Sequence, residues 1–325
     1  MNKNQIENIS IVGASGHVGK FIVDELLTTG KHKITAISRE DSTSEMPAGV
    51  EVKKVNYDDQ SSLVKALQGT DMLIITMSVM APRDSESKLV EAAAEANVPW
   101  IMPNEWGGDH TDAQLVQDII IGQSKLDNRA HIEKLGKSSW VGLTCGFWYE
   151  YSLSFSPLLY GFDFVNRAVT FYDDGNTSIN TSTWAQCGRA VASLLSLKVH
   201  RDSEDDESPC LTNFKNESVY ISSFRVSQRD MLSSVMRVTN TAEQDWKVEY
   251  EPTNERFKAG QEQFKKGDRA GFAKLLYARV FYPDGSGDFE AKHVLSNDML
   301  GLPKENIDEA TKTAIKMAEQ IYASH

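Results

Sequence analysis

The glycines near the start of the chain have the spacing of a phosphate-binding turn. The turn reads Gly13-Ala14-Ser15-Gly16-His17-Val18-Gly19. It lies between a short apolar run and an apolar-periodic segment, an order that predicts strand, turn and helix. Gly13 permits the tight turn, Gly16 lets the backbone approach a pyrophosphate, and Gly19 allows close packing of the helix, whose free N–H groups attract phosphates. We expect all seven residues to bind a dinucleotide; the alternative is that the glycines only form a strand-to-helix turn.

The end of the second predicted strand indicates which dinucleotide is bound. An acidic residue at this point bonds the ribose of NAD, whereas an arginine accommodates the 2'-phosphate of NADP. Here the strand ends at Ser38 and Arg39. A guanidinium holds a phosphate through two hydrogen bonds, so Arg39 favours NADP(H) over NAD(H). The alternative is a surface arginine paired with Glu40. Tyr57, just past the third predicted strand, is expected to flank the adenine.

A lysine-containing segment is the candidate for proton transfer. Many dinucleotide-dependent reductases use a Tyr-x-x-x-Lys pair, but no tyrosine in this chain has a lysine four positions on. The chain has instead a predicted helix that starts at Lys125 and contains Arg129 and His131. Lys125 is either a proton-transfer residue or an exposed lysine without chemistry, and His131 is interpreted as a packing residue.

The elements that position these residues alternate regularly over the first half of the chain. Predicted strands are Ile9–Val12, Lys33–Ser38, Val50–Val55, Asp71–Thr76, Pro99–Met102 and Trp140–Cys145, and predicted helices are Val18–Leu27, Ser61–Gln68, Glu86–Asn97 and Lys125–Leu135. This alternation predicts an α/β fold with a doubly wound parallel sheet of the Rossmann type. The ligand cleft is then expected at the carboxyl ends of the strands.

The regular alternation stops near residue 150, which predicts two domains. Residues 1–150 are expected to form the NADP-binding domain, and residues 151–325 a smaller α+β substrate-binding lobe, with residues 183–198 as a candidate to return to the first domain. Helices are predicted in this second part at Thr183–Leu197, Ser227–Thr239, Asn254–Lys266, Arg269–Phe281 and Lys304–Tyr322.

Composition excludes several classes of function. The 325 residues carry a net charge of -12, which disfavours binding to nucleic acid. No apolar run is long enough to span a bilayer, the first residues lack a signal-peptide pattern, and the histidines have no metal-ligand spacing. We therefore expect a cytoplasmic protein with three reduced cysteines, no metal, no membrane association and a small-molecule partner, whose oligomeric state the sequence does not give.

Taken together, these motifs resemble those of the NmrA-like and isoflavone-reductase-like atypical short-chain dehydrogenases, in particular their fungal members. The segments that carry the resemblance are Gly13 to Gly19, Arg39, Pro103-Asn104-Glu105-Trp106-Gly107, Lys125 to Glu133 and Asp174-Gly175-Asn176. The resemblance implies that Lys125 lies by the nicotinamide and acts in proton transfer. Family members often have two adjacent arginines after this lysine, whereas here Ala130 follows Arg129. Glu105 is interpreted as a turn acid, the alternative being a residue that orients other groups.

The remaining site residues are assigned from their positions after strands. The predicted cofactor contacts are the seven turn residues, Arg39, Tyr57, Met77 and Ser78 after the fourth strand, Asn104, Lys125 and Phe147. The predicted substrate contacts are Trp106, Trp148, Tyr149 and Tyr151, although single aromatic residues are more often core. An aromatic cleft suits an apolar or aromatic substrate.

Two functions remain open at this stage. The first is an NADPH-dependent reductase of an activated C=C, C=O or C=N bond. The second is a non-catalytic dinucleotide-binding redox sensor that acts through partner proteins. Both remain open because the fold alone does not distinguish an enzyme from a sensor.

Overall fold

An eight-stranded parallel sheet lies at the centre of the protein in the computed structural model, which describes residues 4–323. The strands, in chain order, are β1 (Asn8–Val12), β2 (Lys33–Arg39), β3 (Val50–Val55), β4 (Met72–Ile75), β5 (Trp100–Met102), β6 (Trp106–Gly107), β7 (Ser139–Thr144), β8 (Phe147–Trp148), β9 (Phe162–Asp163), β10 (Ala168–Tyr172), β11 (Ile179–Ser182), β12 (Glu217–Tyr220), β13 (Phe224–Val226) and β14 (Lys247–Glu251). The main sheet has the order β12-β7-β5-β4-β1-β2-β3, and β6 also pairs with β7. The strand order reverses between β1 and β4, where such sheets bind their ligands.

Helices cover both faces of this sheet. They are α1 (His17–Thr29), α2 (Gln60–Leu67), α3 (Ser85–Glu95), α4 (Ala113–Asp118), α5 (Gly122–Leu135), α6 (Tyr149–Ser154), α7 (Trp184–Leu195), α8 (Gln228–Thr239), α9 (Thr253–Lys265), α10 (Arg269–Val280) and α11 (Ile307–Ala323). Helices α1 and α7 pack on one face, and α2, α3 and α5 pack on the other. Because both faces are covered, central strands such as β4 are apolar and buried at every position. The predicted doubly wound parallel sheet is confirmed.

A second hydrophobic core lies outside the main sheet. It is built on two three-stranded sheets, of order β14-β10-β9 and β13-β11-β8, together with α6, α8, α10 and α11. Its largest fully buried side chains include Tyr149, Tyr160, Phe171 and Phe281. This core forms the second lobe, and its strand β8 follows the carboxyl end of β7 of the main sheet after two residues.

The division of the chain differs from a simple boundary at residue 150. Helix α7 packs against α1, so residues 184–195 lie with the main sheet, and β12 extends the same sheet beside β7. Asn216 fixes this pairing, because its side-chain Oδ1 accepts from Trp140 N at 3.0 Å and its backbone N donates to Trp140 O at 2.8 Å. The four-residue β12 has too little periodicity to be predicted from the sequence.

Three features of the described chain bear on the expectations drawn from composition. Over residues 4–323, no helix has the length and apolarity that a membrane crossing needs. The same part of the chain holds no group of three or more His, Cys, Asp and Glu side chains placed to bind a metal ion. Cys145, Cys187 and Cys210 are all buried and free.

Candidate cofactor and active site

The glycine-rich turn connects β1 to α1 and packs tightly against the end of β4. Gly13 has a φ of +79°, and a Cβ at this position would lie 2.1 Å from Thr76 O. A Cβ at Gly19 would lie 2.1 Å from Gly13 O, so α1 approaches the turn at a distance that only glycine allows. The helix begins at His17 after Gly16, which offers no side-chain acceptor to the first amide groups. The start of α1 is therefore open to a bound anion.

Arg39 lies at the end of β2 with 70% of its side chain exposed. Its Nε is 3.4 Å from Asp41 Oδ1, so its ion-pair partner is Asp41 rather than Glu40. Exposed pairs of this kind contribute little, which leaves the guanidinium able to take a phosphate instead. Tyr57 lies nearby: burial raises the pKa of its hydroxyl to about 12, while the charge of Arg39 acts in the opposite direction.

Asn104 joins the turn after β5 to the turn after β4. Its side-chain Oδ1 accepts from Met77 N at 3.0 Å, and its Nδ2 donates to Met77 O at 3.0 Å. Both ends of the amide are thus used within the protein, so Asn104 shapes the site by holding Met77. Ser78 follows in the same turn, and its Oγ accepts from Met80 N at 3.1 Å.

Lys125 lies in the first turns of α5 and is buried rather than exposed. Its Nζ is 3.7 Å from Glu86 Oε2, and each of the two side chains is 11% exposed. Glu86 Oε1 accepts from Asn104 N at 2.8 Å. Burial raises the pKa of the Glu86 carboxyl, against the opposing effect of the Lys125 charge. The lysine therefore faces a buried carboxylate beside the turns that follow β4 and β5.

One helical turn beyond Lys125, Arg129 forms a buried ion pair with Glu105. Arg129 Nε donates to both carboxylate oxygens at 2.9 and 3.0 Å, and a terminal nitrogen donates to Glu105 and to Ser218 Oγ, the latter at 3.0 Å. The guanidinium lies 4.2 Å from the Trp140 ring centroid. Burial opposes ionisation of Glu105, but hydrogen bonds from His110 and Arg129 outweigh it and lower its pKa. Glu105 therefore orients α5, which corrects its interpretation as a simple turn acid.

The predicted aromatic contacts fall into separate environments. Trp106 is anchored, because its Nε1 donates to Ile75 O at 2.8 Å. Phe147 stacks on Tyr277 with ring centroids 4.0 Å apart, and it lines a small cavity together with Gly108, Gly146 and Phe289. Trp106 is the first residue of β6, and Phe147 begins β8 three residues after the end of β7.

Trp148 and Tyr151 belong to an aromatic cluster beside the glycine-rich turn. Its centre is Trp184, which stacks on His17 at 5.4 Å and lies 6.1 Å from Trp148 and 6.2 Å from Tyr151 between ring centroids. Burial and, to a smaller extent, the charge of Lys20 lower the pKa of His17, which favours its neutral, stacking form.

Tyr149 is an exception among the predicted substrate contacts. Its side chain is fully buried in the second core, and its hydroxyl forms a 2.7 Å hydrogen bond with Thr311 Oγ1 of α11. Its ring packs edge-on against Phe224. Tyr149 thus holds α6 to the C-terminal helix, and its ring lies away from the other predicted substrate contacts.

The other predicted residues share one edge of the main sheet. The carboxyl ends of β1, β4, β5 and β7 are followed by the glycine-rich turn, Met77, Asn104 and Phe147, respectively. Arg39 is the last residue of β2 and lies at the same edge. Lys125 reaches the same edge from α5 through Glu86 and its bond to Asn104. This edge therefore carries a helix start without a side-chain cap, an exposed arginine and a buried lysine.

Comparison with known proteins gives consistent matches. Residues 5–160 match the model of the NmrA-like family. Over the whole length, oxidoreductase aprR of Aspergillus flavus is 25% identical, with 95% of this chain and 98% of that protein covered. Oxidoreductase poxI of Penicillium oxalicum is also 25% identical, over 94% of this chain and 92% of that protein.

Solved structures show the same fold. A chain from the crystal structures of pinoresinol-lariciresinol and phenylcoumaran benzylic ether reductases superimposes with a TM-score of 0.74 at 18% identity, covering 93% of this chain and 98% of that one. An NADPH-dependent quinone oxidoreductase from Escherichia coli, solved with NADPH, superimposes with a TM-score of 0.67 at 18% identity, covering 94% and 99%.

Proposed function

The chain belongs to the NmrA-like, isoflavone-reductase-like family, and from this premise we propose that it is an NADPH-dependent reductase of an apolar or aromatic small molecule. The reaction would be hydride addition to an activated C=C, C=O or C=N bond. The observation that carries the proposal is the buried Lys125 beside the turns that follow β4 and β5. The relatives named as oxidoreductases over nearly the full length of the chain support the same class of activity.

The proposed cofactor site consists of the glycine-rich turn at the start of α1, Arg39 and Tyr57. The amide groups at the start of α1 would bind the pyrophosphate, with Gly13 and Gly19 leaving room for the turn. Arg39 would exchange its exposed pair with Asp41 for the 2'-phosphate, and Tyr57 would flank the adenine. The structural neighbour solved with NADPH supports this choice of cofactor. Bound NADPH supplies the hydride.

In the proposed reaction Lys125 supplies the proton that complements the hydride. Its Nζ would deliver the proton to the substrate atom on which negative charge develops. Phe147 would close one side of the nicotinamide end of the cleft, and Trp106, Trp148 and Tyr151 would contribute apolar surface for the substrate. Tyr149 has no part in this proposal, because it lies in the second core.

The proposal is tested by measuring NADPH consumption with a set of aromatic enones, ketones, aldehydes and imines. We expect at least one of these substrate classes to be reduced. Lys125→Ala should then lower turnover by roughly 10²- to 10⁴-fold and leave NADPH binding within a few-fold of wild type. Lys125→Arg should not restore turnover, because a guanidinium does not release a proton at working pH.

Lys134→Ala is the matched control, because Lys134 lies on the same helix and is exposed. Its turnover should equal that of wild type. If Lys125→Ala keeps full turnover, Lys125 is not the proton donor. If NADPH binds tightly and no substrate class is reduced, the non-catalytic sensor function is favoured instead.

A further inference from the structure

Glu86 is a buried carboxylate that the sequence analysis did not assign to the site. It lies in the first turn of α3 and is only 8% exposed. A carboxylate in such a position loses much of its hydration, so the fold retains its charge only where partners compensate. The partners of Glu86 are therefore informative about its role.

The two oxygens of Glu86 have different partners. Oε1 accepts a hydrogen bond from Asn104 N at 2.8 Å, and Oε2 faces Lys125 Nζ at 3.7 Å. Asn104 in turn holds Met77 through two hydrogen bonds of 3.0 Å. Glu86 thus connects α3, the turns after β4 and β5, and the lysine of α5.

Within residues 4–323, the acidic side chain at ion-pair distance from Lys125 is Glu86. Glu105 also acts on Glu86 electrostatically, but its carboxylate is engaged by Arg129 and by His110, whose Nδ1 lies 3.3 Å from Glu105 Oε2. Arg129 therefore compensates Glu105, and Glu86 compensates Lys125. Glu86 Oε2, at 3.7 Å, is therefore the carboxylate oxygen placed to attract the positive charge of Lys125.

We propose that Glu86 is the positioning residue of Lys125, which holds the amine at the carboxyl edge of the sheet and stabilises its protonated form. The inference rests on the proposed function, in which protonated Lys125 is the proton donor. The hydrogen bond from Asn104 N fixes Oε1, which leaves Oε2 directed toward Lys125. After Lys125 has given its proton to the substrate, the uncompensated Glu86 carboxylate favours return of a proton from solvent to the lysine.

The first test does not need a substrate. Lys125 is labelled with acetic anhydride at a series of pH values, and acetylation at this residue is quantified by mass spectrometry. Only the neutral amine reacts, so the pH at half-maximal labelling reports how strongly Glu86 favours the ammonium form. In Glu86→Gln we expect this midpoint to fall by about one pH unit, the usual effect of removing an opposite charge at about 4 Å. Labelling below the midpoint should rise roughly tenfold.

Two variants separate the charge of Glu86 from its packing. Glu95→Gln is the matched control, because Glu95 is an exposed acid at the other end of α3, and its labelling midpoint should equal that of wild type. Glu86→Asp keeps the negative charge, so its pH of half-maximal labelling should lie close to the wild-type value. Equal midpoints in wild type and Glu86→Gln, with both proteins folded by circular dichroism, would overturn the inference.

The second test uses turnover and distinguishes this inference from the proposed function. In Glu86→Gln the decline of kcat at alkaline pH should begin about one pH unit lower, with KM for NADPH within a few-fold of wild type. If Lys125→Ala is inactive and the kcat profile of Glu86→Gln is unchanged, the reductase proposal stands and the role of Glu86 is wrong. If Lys125→Ala is fully active, the proton-donor role itself is wrong, whatever Glu86 does.

Discussion

Glu150→Gln should change how the stability of the protein depends on pH. Glu150 lies in α6 with 6% of its surface exposed, and its Oε2 accepts from Trp184 N at 3.3 Å. Burial raises the pKa of this carboxyl from 4.5 to about 7, with Glu305 adding to the shift and backbone hydrogen bonds and Arg189 opposing it. The folded protein therefore binds this proton more tightly than the unfolded chain does.

The sign and size of the effect follow from this difference. Between pH 4.5 and about 7 the native carboxyl keeps a proton that the unfolded chain has lost, so the free energy of unfolding falls as pH rises. At about 1.36 kcal/mol per pKa unit, the shift from 4.5 to about 7 corresponds to about 3 kcal/mol. The neutral amide of Glu150→Gln removes this loss and still offers an oxygen to Trp184 N.

Urea unfolding at pH 5 and pH 8, followed by tryptophan fluorescence, measures the effect. Between these two pH values, wild type should lose about 2.5 kcal/mol more than Glu150→Gln in the free energy of unfolding, because a small part of the loss has already occurred at pH 5. Glu95→Gln, which replaces an exposed acid, should follow wild type. The same pH dependence in wild type and Glu150→Gln would refute the reasoning, because it would mean that Glu150 is ionised at little cost in the folded protein.

Three further predictions concern the cleft. Arg39→Ala should reduce the preference for NADPH over NADH by about 1.5 to 3 kcal/mol, measured by titration of both cofactors; equal affinities in wild type would contradict the role of Arg39. Gly19→Ala should weaken NADPH binding at least tenfold in the same titration, because the new Cβ would lie 2.1 Å from Gly13 O and push α1 away from the turn. An unchanged affinity would show that the turn does not hold the cofactor. Trp148→Ala should raise KM for an aromatic substrate, whereas a lower melting temperature with unchanged KM would identify the ring as core packing.

The main sheet is predictable because its signal is local. Each central strand is a short apolar run followed by a turn, and the helices between strands are long enough to show their periodicity. β12 differs, because its place beside β7 depends on the bonds between Asn216 and Trp140, which are far apart in the sequence. A prediction from local patterns therefore divides the chain at residue 150, names residues 183–198 as a candidate to return to the first domain, and misses the return of β12 to the sheet.

The same difference between local signals and long-range contacts applies to the site residues. The glycine-rich turn and Lys125 carry their own sequence pattern, but Glu86 meets Lys125 only because α3 and α5 pack on one face of the sheet. Tyr149 lies in the second core for a related reason. Successive residues of a helix differ by about 100° in direction, so Tyr149 and Tyr151 face nearly opposite sides of α6. Tyr151 meets His17, and Tyr149 meets α11.

The most direct test of the proposed reductase is to follow the hydride. NADPH deuterated at the transferable C4 position is supplied with each substrate class that consumes the cofactor, and the product is analysed by mass spectrometry. The proposal predicts that the product of the wild-type reaction gains one deuterium at carbon, and that Lys125→Ala, with NADPH bound, forms this product roughly 10²- to 10⁴-fold more slowly. A product without deuterium, or tightly bound NADPH that no substrate class consumes, would contradict it.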